Sequence, residues 1–354
     1  MSLVFEHSTL GQRVLFGSGK AASNLAAEVA RAGAVRVMVI ASELEAQIAA
    51  EVTQDIEVAL NYDDVAQHVP IEKAEKARTA ATEHGIDLLV CIGGGSTTGL
   101  AKAVAMTSGL PIVAIPTTYA GSEATNVWGL TEAARKTTGV DDKVLPVAVI
   151  YDATLTTSLP VDLSVASGLN ALAHCVDSMW APRADPINQA LAAEGIRALN
   201  AGLPLIKDHP ENLAGREQAL YGAYLSAVAF ASAGSGMHHK ICHVLGGSYN
   251  LPHAQTHATI LPHVLAFNAH AAPDAADRIA AAFGSTDAIS GLDLLRKSLD
   301  APTSLMEYGF AERDIAEAAQ LILPQIPASN PRRVDHDNLT RLLHNANSGS
   351  AVAV

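Results

Sequence analysis

The chain has 354 residues, 49% of them hydrophobic and 17% charged, with a formal net charge of −13. That length and apolar content suit two packed domains and exclude a disordered chain. The negative balance argues against nucleic acid or an anionic membrane surface as a general partner. Three scattered cysteines, Cys91, Cys175 and Cys242, fit reduced thiols in a cytoplasmic protein better than a disulfide framework. No basic leader with an apolar core opens the chain, and no run of about eighteen apolar residues is free of polar breaks.

In the first 150 residues, helical and strand patterns alternate. An Ala-rich helical stretch at 21–32 leads into a β-branched run at 35–41 (VRVMVIA), and a helical pattern at 72–84 leads into a second run at 86–92 (IDLLVCI). Further runs stand at 111–115 (PIVAI) and 147–151 (VAVIY). Short continuous apolar runs separated by helices predict a parallel sheet covered on both faces, which binds ligands beyond the carboxyl ends of its strands. After about residue 157 the character changes to Ala/Leu-rich helical stretches at 162–180, 186–207, 211–233, 237–248, 254–270, 273–284, 288–298, 311–321 and 337–346. The expected organisation is an α/β domain over 1–157 and an all-α domain over 158–354, ending in a frayed SGSAVAV tail.

The run at 86–92 passes directly into Gly93, Gly94, Gly95 and Ser96, and then into a helical pattern. A glycine-rich strand-to-helix turn lets backbone N–H groups approach a phosphate, with the helix N-terminus adding favourable partial charge. Neither standard fingerprint is met: Thr98 stands where GxGxxG needs its last glycine, and Leu100 and Ala101 stand where a Walker motif needs Lys and Ser/Thr. The motif points to a phosphate-bearing ligand. After the next strand, Thr117, Thr118, Tyr119, Gly121 and Ser122 place hydroxyls at the same sheet edge, as a second pocket wall or as an ordinary helix cap. Where a dinucleotide fold often carries an acidic ribose clamp, this chain has Ser42. A 2′-phosphate is then not repelled, and use of both NADH and NADPH is expected.

Seven of the fourteen histidines fall between positions 238 and 270, four of them within 238–253 (HHKICHVLGGSYNLPH). On a helix, His239 and His243 share one face, as do Asn170 and His174. A chain reversal after Gly246 and Gly247 and Leu251-Pro252 presents His253 to the same space. Together Asn170, His174, His239 and His253 have the look of a four-ligand metal site, with His243 beside it. Imidazoles can equally shuttle protons or, when protonated, bind an anion.

The segments GGGS at 93–96, PTT at 116–118, GLNALAH at 168–174 and HxxxHxLG…PH from 239 to 253 together resemble the iron-containing alcohol dehydrogenase family over essentially the whole chain. Within it, GGGSTTGLAKA, PTTYAGSEAT and the short length are most similar to the branch that reduces maleylacetate. The resemblance implies a dehydroquinate synthase-like fold, with a Rossmann-like NAD(P)-binding α/β domain, a helical catalytic domain, and a homodimer. Metal-dependent members have an aspartate where this chain has Asn170. A neutral amide is a poor ligand for a hard divalent cation, and the expectation is activity without a metal. The implied reaction is NADH- or NADPH-dependent reduction of the C=C bond of maleylacetate, a dicarboxylate, to 3-oxoadipate. In that reading His243 donates the proton or stabilises the oxyanion. His174 and His253 bind carboxylate or oxyanion, His239, Asn170 and Lys240 assist, and Tyr119 and Thr118 reach the substrate. The alternatives are a metal-dependent alcohol or aldehyde dehydrogenase of the same family and a sugar-phosphate cyclase on the same fold.

Overall fold

Residues 4–132 and 135–350 are described by the computed structural model; the last four residues of the SGSAVAV tail lie outside them. Two compact units emerge. The residues from Leu10 to Leu159 form one, and those from Pro160 onward form the other, joined by the described residues up to Thr9. In this second unit the His7 imidazole meets the Asp185 carboxylate at 2.8 Å.

The first unit holds a six-stranded parallel sheet in the order β1-β8-β5-β4-β2-β3. Its strands are β1 (Arg13–Phe16), β2 (Val37–Ile40), β3 (Val58–Tyr62), β4 (Leu88–Gly93), β5 (Ile112–Pro116) and β8 (Ala148–Tyr151). Helices α1 (Ala21–Ala32), α2 (Ala46–Val52), α3 (Ile71–Glu83) and α4 (Gly95–Ser108) cover it. Because side chains alternate along a strand, each central strand feeds two cores. Val37, Val39, Leu88, Val90 and Ile92 pack on one face with α1 and α2. Met38, Ile40, Leu89 and Cys91 pack on the other with α3 and α4. This is why those strands read as unbroken apolar runs. A two-stranded antiparallel hairpin, β6 (Val127–Glu132) and β7 (Arg135–Val140), lies apart from the sheet.

The strand order locates a ligand crevice. Strands β2 and β4 are neighbours, but the chain leaves β2 for the β3 edge and leaves β4 in the opposite direction, toward β5. The loops after such a pair diverge and open a crevice at their carboxyl ends. Ser42 follows β2, and Gly94 to Ser96 follow β4.

The second unit is helical: α5 (Val161–Ser178), α6 (Pro186–Asp208), α7 (Leu213–Ala233), α8 (Met237–Tyr249), α9 (His253–Ala269), α10 (Pro273–Phe283), α11 (Ala288–Ser298), α12 (Ile315–Ile322) and α13 (His336–Ser348). From Ser164 to Ser178 every residue of α5 is buried, so this helix is enclosed all round and central, with α6, α7 and α9 packed on it. A separate core joins α8, α9, α12 and α13 around Met237, Leu245, Ile260, Ile322 and Leu343. Among the described residues no helix is long and apolar enough to cross a membrane.

Candidate active site

The glycine turn is packed closely against its own threonines. Gly93 has φ +149°, and a Cβ there would lie 2.6 Å from Thr97 Oγ1. Only glycine accepts both constraints. Gly94 caps α4 in extended backbone and leaves the helix N-terminus without a side-chain cap, its first N–H groups available to a phosphate. Gly94, Gly95 and Ser96 are half-buried, whereas Thr117 is buried and Thr118 half-buried. A Cβ on Gly94 would meet Thr118 Cγ2 at 3.1 Å, which places the threonine loop directly against the turn.

A lysine not singled out from the sequence holds that loop. Lys102, fully buried on α4, donates to the carbonyls of Ser122 (2.6 Å), Val127 (2.7 Å) and Thr125 (2.8 Å), and to Thr125 Oγ1 (3.2 Å). Burial lowers its pKa to about 7, against the opposing charge of Glu123. Glu123 is buried too and accepts a 2.8 Å hydrogen bond from the Tyr151 hydroxyl. Ser122 is therefore fixed through its backbone, and Tyr119 is completely buried. Ser42 stands at the crevice as expected, but its hydroxyl donates to the Glu45 carboxylate. The acid absent from position 42 is supplied three residues later.

In the helical unit the imidazoles do gather. His174 stacks on His239 with ring centroids 4.8 Å apart and planes inclined by 12°. Phe230 closes against both, at 4.9 and 4.3 Å. His243 stands edge-on to His239 at 6.0 Å. His257 lies 5.0 Å from His239 and 4.4 Å from His253. His253 is exposed, while His243 and Lys240 are half-buried. The reversal that delivers His253 is not made by Gly246 and Gly247, which lie inside α8. Asn250 turns the chain at φ +53°, and Leu251-Pro252 runs extended into α9.

Asp177 and His257 were missed. Asp177 is completely buried one turn beyond His174, and its Oδ2 lies 2.7 Å from His239 Nδ1. It also accepts from the backbone N–H groups of Gly236 (2.8 Å) and His238 (3.3 Å). A Cβ on Gly236 would stand 2.5 Å from Asp177 Oδ1, so the contact requires glycine there. Asp177 locks the tautomer and rotation of His239, leaving Nε2 facing away from it, buried and without a partner. The spacing 170, 174, 177 was the available signal, since it marks one helical face (i, i+4, i+7). His257 likewise follows His253 by one turn.

Electrostatics correct one expectation. Burial lowers the His174 pKa to about 4 and that of His238 to about 3, and it pushes His239 and His257 well below the usual imidazole range. Burial raises Asp177 to about 7, opposed by its backbone N–H partners. The inner imidazoles are therefore neutral hydrogen-bonding groups and not a preformed cationic pocket.

The set first resembling a four-ligand metal site offers iron little. Asn170 Oδ1, His174 Nδ1 and His239 Nε2 are buried and unpartnered, but an amide and neutral imidazoles offer a dication no anion. Among the described residues the one convergent group of His, Cys, Asp or Glu ligand atoms is instead His238, Cys242 and His257. The residues at 170, 174, 239 and 253 do not fit a tightly held iron.

Residues 11–153 match the family described as iron-containing alcohol dehydrogenase, and residues 164–347 match the C-terminal part of the Fe-containing alcohol dehydrogenase family. The chain belongs to the iron-containing alcohol dehydrogenase family. Enzymes of this family use NAD(P)H. The chain is 44% identical over 348 residues to a maleylacetate reductase of Pseudomonas sp. (strain P51), covering 98% of each. Its fold superposes on an iron-containing alcohol dehydrogenase from Corynebacterium glutamicum with a TM-score of 0.97, at 65% identity and 98% coverage of both chains. It also superposes on the maleylacetate reductase from Agrobacterium tumefaciens with a TM-score of 0.93, at 38% identity and 99% coverage of both. Among these family members the expected architecture, a parallel-sheet domain followed by a helical one, is shared end to end.

Proposed function

We propose that this chain reduces the C=C bond of maleylacetate to 3-oxoadipate with NADH or NADPH. The observation that carries the proposal is near-full-length identity of 42–44% to several proteins named maleylacetate reductase. The site chemistry agrees with it. Hydride from nicotinamide C4 adds to the alkene carbon β to the ketone, the electrons pass to the ketone oxygen as an enolate, and a proton on the adjacent carbon completes 3-oxoadipate. Reduced dinucleotide, substrate and one proton give oxidised dinucleotide and product.

The reaction needs an oxyanion partner, one proton and anchors for two carboxylates. His239 gives its Nδ1–H to Asp177, and its Nε2, protonated once the dianion is bound, donates to the developing charge, with Asn170 and His174 beside it. His243 delivers the proton. His253 and Lys240 are the less buried groups and take the carboxylates. A bound dianion raises the proton affinity of neighbouring imidazoles, so the positive charge arrives with the substrate. On the α/β unit, Gly93 to Ser96 receive the pyrophosphate, and Thr117, Thr118 and the Lys102-held Ser122 wall the pocket. Ser42 and Glu45 face the ribose, which favours NADH while leaving NADPH usable. Fully buried Tyr119 is assigned to loop packing. Three free, buried cysteines suit a cytoplasmic setting, and a homodimer is the proposed assembly.

Following NADH and NADPH oxidation with maleylacetate, before and after chelation, tests the reading. Expected is turnover with both dinucleotides, unchanged by removal of metal. Absence of oxidation with either overturns the substrate assignment, and loss on chelation restores the metal-dependent alternative.

A further inference from the structure

His238, Cys242 and His257 form a second, buried constellation, and the reduction described above does not use it. Helix α8 places His238 and Cys242 one turn apart, and α9 contributes His257 one turn after the exposed His253. His238 Nε2 lies 3.0 Å from His257 Nδ1 and 3.6 Å from Cys242 Sγ, and all three atoms fall within 4.8 Å of one another. Each side chain is at most 2% exposed.

We propose that these three residues bind a thiophilic divalent cation with a filled d shell, zinc above all, at a site separate from Asn170, His174, His239 and His253. Tetrahedral zinc, with bonds of about 2.0–2.1 Å to nitrogen and about 2.3 Å to sulfur, spaces its ligands roughly 3.3 Å (N to N) and 3.6 Å (N to S) apart. The 3.6 Å between His238 Nε2 and Cys242 Sγ already matches, and the 3.0 Å between the two ring nitrogens needs an opening of a few tenths of an ångström. A thiolate with two imidazoles selects zinc over hard cations that prefer oxygen. It also supplies the anion that Asn170 withholds from the neighbouring set. A hydrogen bond between the two imidazoles accounts for the 3.0 Å contact, with the Cys242 thiol 3.6 Å from the same His238 Nε2. With or without a metal between them, His238 Nδ1 and His257 Nε2 are buried without partners.

Binding displaces one proton: the metal takes the sulfur lone pair as the S–H bond breaks, and the proton leaves to solvent. Because the ligand is the thiolate, affinity rises with pH. The unpartnered outer nitrogens mean that no carboxylate supports either histidine, which weakens a zinc site by roughly 10–100-fold per missing partner. A site of moderate affinity follows. The inference is independent of the maleylacetate reading, since its readout is metal binding and not turnover.

The test is titration of the metal-free, full-length protein with Co²⁺ and then Zn²⁺. A thiolate-to-cobalt charge-transfer band in the near ultraviolet is expected, saturating at one ion per chain and bleached by zinc, with one proton released per ion. Cys242→Ser should abolish the band and weaken zinc about 100-fold, His257→Asn should weaken it similarly, and His174→Ala should leave the band intact. Circular dichroism verifies that each variant is folded, and the wild-type spectrum decides the matter even if one is not. No charge-transfer band in the wild-type protein overturns the proposal. So does a band lost with His174→Ala but retained with Cys242→Ser.

Discussion

Replacing Asp177 by asparagine separates charge from shape at the centre of the imidazole cluster. Oδ2 serves both His239 Nδ1 and the Gly236 N–H, at 2.7 and 2.8 Å, while Oδ1 takes only the longer 3.3 Å bond from His238 N. An asparagine will therefore keep its oxygen at the Oδ2 position and turn its NH₂ toward the His238 N–H. That loses the weakest bond and faces a donor with a donor, a cost of about 1–3 kcal/mol for one unsatisfied buried group. At roughly 2–4 °C per kcal/mol for a unit of this size, the melting temperature should fall by about 4–8 °C for a loss of about 2 kcal/mol. His239 stays oriented but loses the carboxylate that would support positive charge on its ring. If His239 Nε2 meets the enolate oxygen, kcat should fall about 10²–10³-fold with KM little changed. The pH profile of kcat should also lose its Asp177-dependent limb. The assay is steady-state NADH oxidation with maleylacetate over a pH series, with melting followed in parallel. A variant that melts lower yet keeps kcat within twofold and an unaltered pH profile would refute the role given to Asp177 and leave it a structural brace.

His243→Ala should lower kcat about 100- to 1000-fold in the same assay, and near-normal turnover would remove it as proton donor. Gly93→Ala combines an unfavourable φ with a Cβ 2.6 Å from Thr97 Oγ1; at about 2–4 kcal/mol, dinucleotide affinity by fluorescence titration should drop at least tenfold. Glu45→Gln should raise kcat/KM for NADPH relative to NADH several-fold, because the repelling carboxylate beside Ser42 is gone; an unchanged ratio places the ribose elsewhere. Acid sensitivity follows from the buried imidazoles. His174 and His238 have folded pKa values of about 4 and about 3, below the unfolded value of 6.5, so the unfolded chain binds more protons. Their contribution is fully present above pH 6.5 and is lost as pH falls toward 4. Asp177, raised from 3.8 to about 7, acts oppositely over that window but is one group against several. Urea midpoints should decline by the equivalent of several kcal/mol between pH 6.5 and 4, and a flat profile would contradict neutral buried imidazoles.

Fold class and most of the candidate site could be read from one sequence because the informative residues obey local periodicities. Strands β2, β4, β5 and β8 are sandwiched between helices and so carry uninterrupted apolar residues. The edge strands β1 and β3 and the hairpin β6–β7 went unread, since partial exposure removes the apolar run that marks a strand. Val14 and Phe16 of β1, at 37% and 44% exposed, show the mixed environment. The helices α5 to α13 were legible nearly to their ends because each buries a stripe, or in α5 the whole circumference, over several turns.

By itself the sequence determined which chemical groups are present and which neighbours share a helical face: Asn170 with His174, His239 with His243, and glycines after β4. The tertiary structure alone decided what each group meets. It brought Asp177 from α5 to His239 on α8, set Lys102 among carbonyls 20 to 25 residues away, and joined His257 to His238 and Cys242. It also decided charge. Composition counts an imidazole as a possible cation, but burial in a low-dielectric helical core disfavours the protonated form. The inner histidines, His174, His238, His239 and His257, are therefore neutral, oriented donors and acceptors.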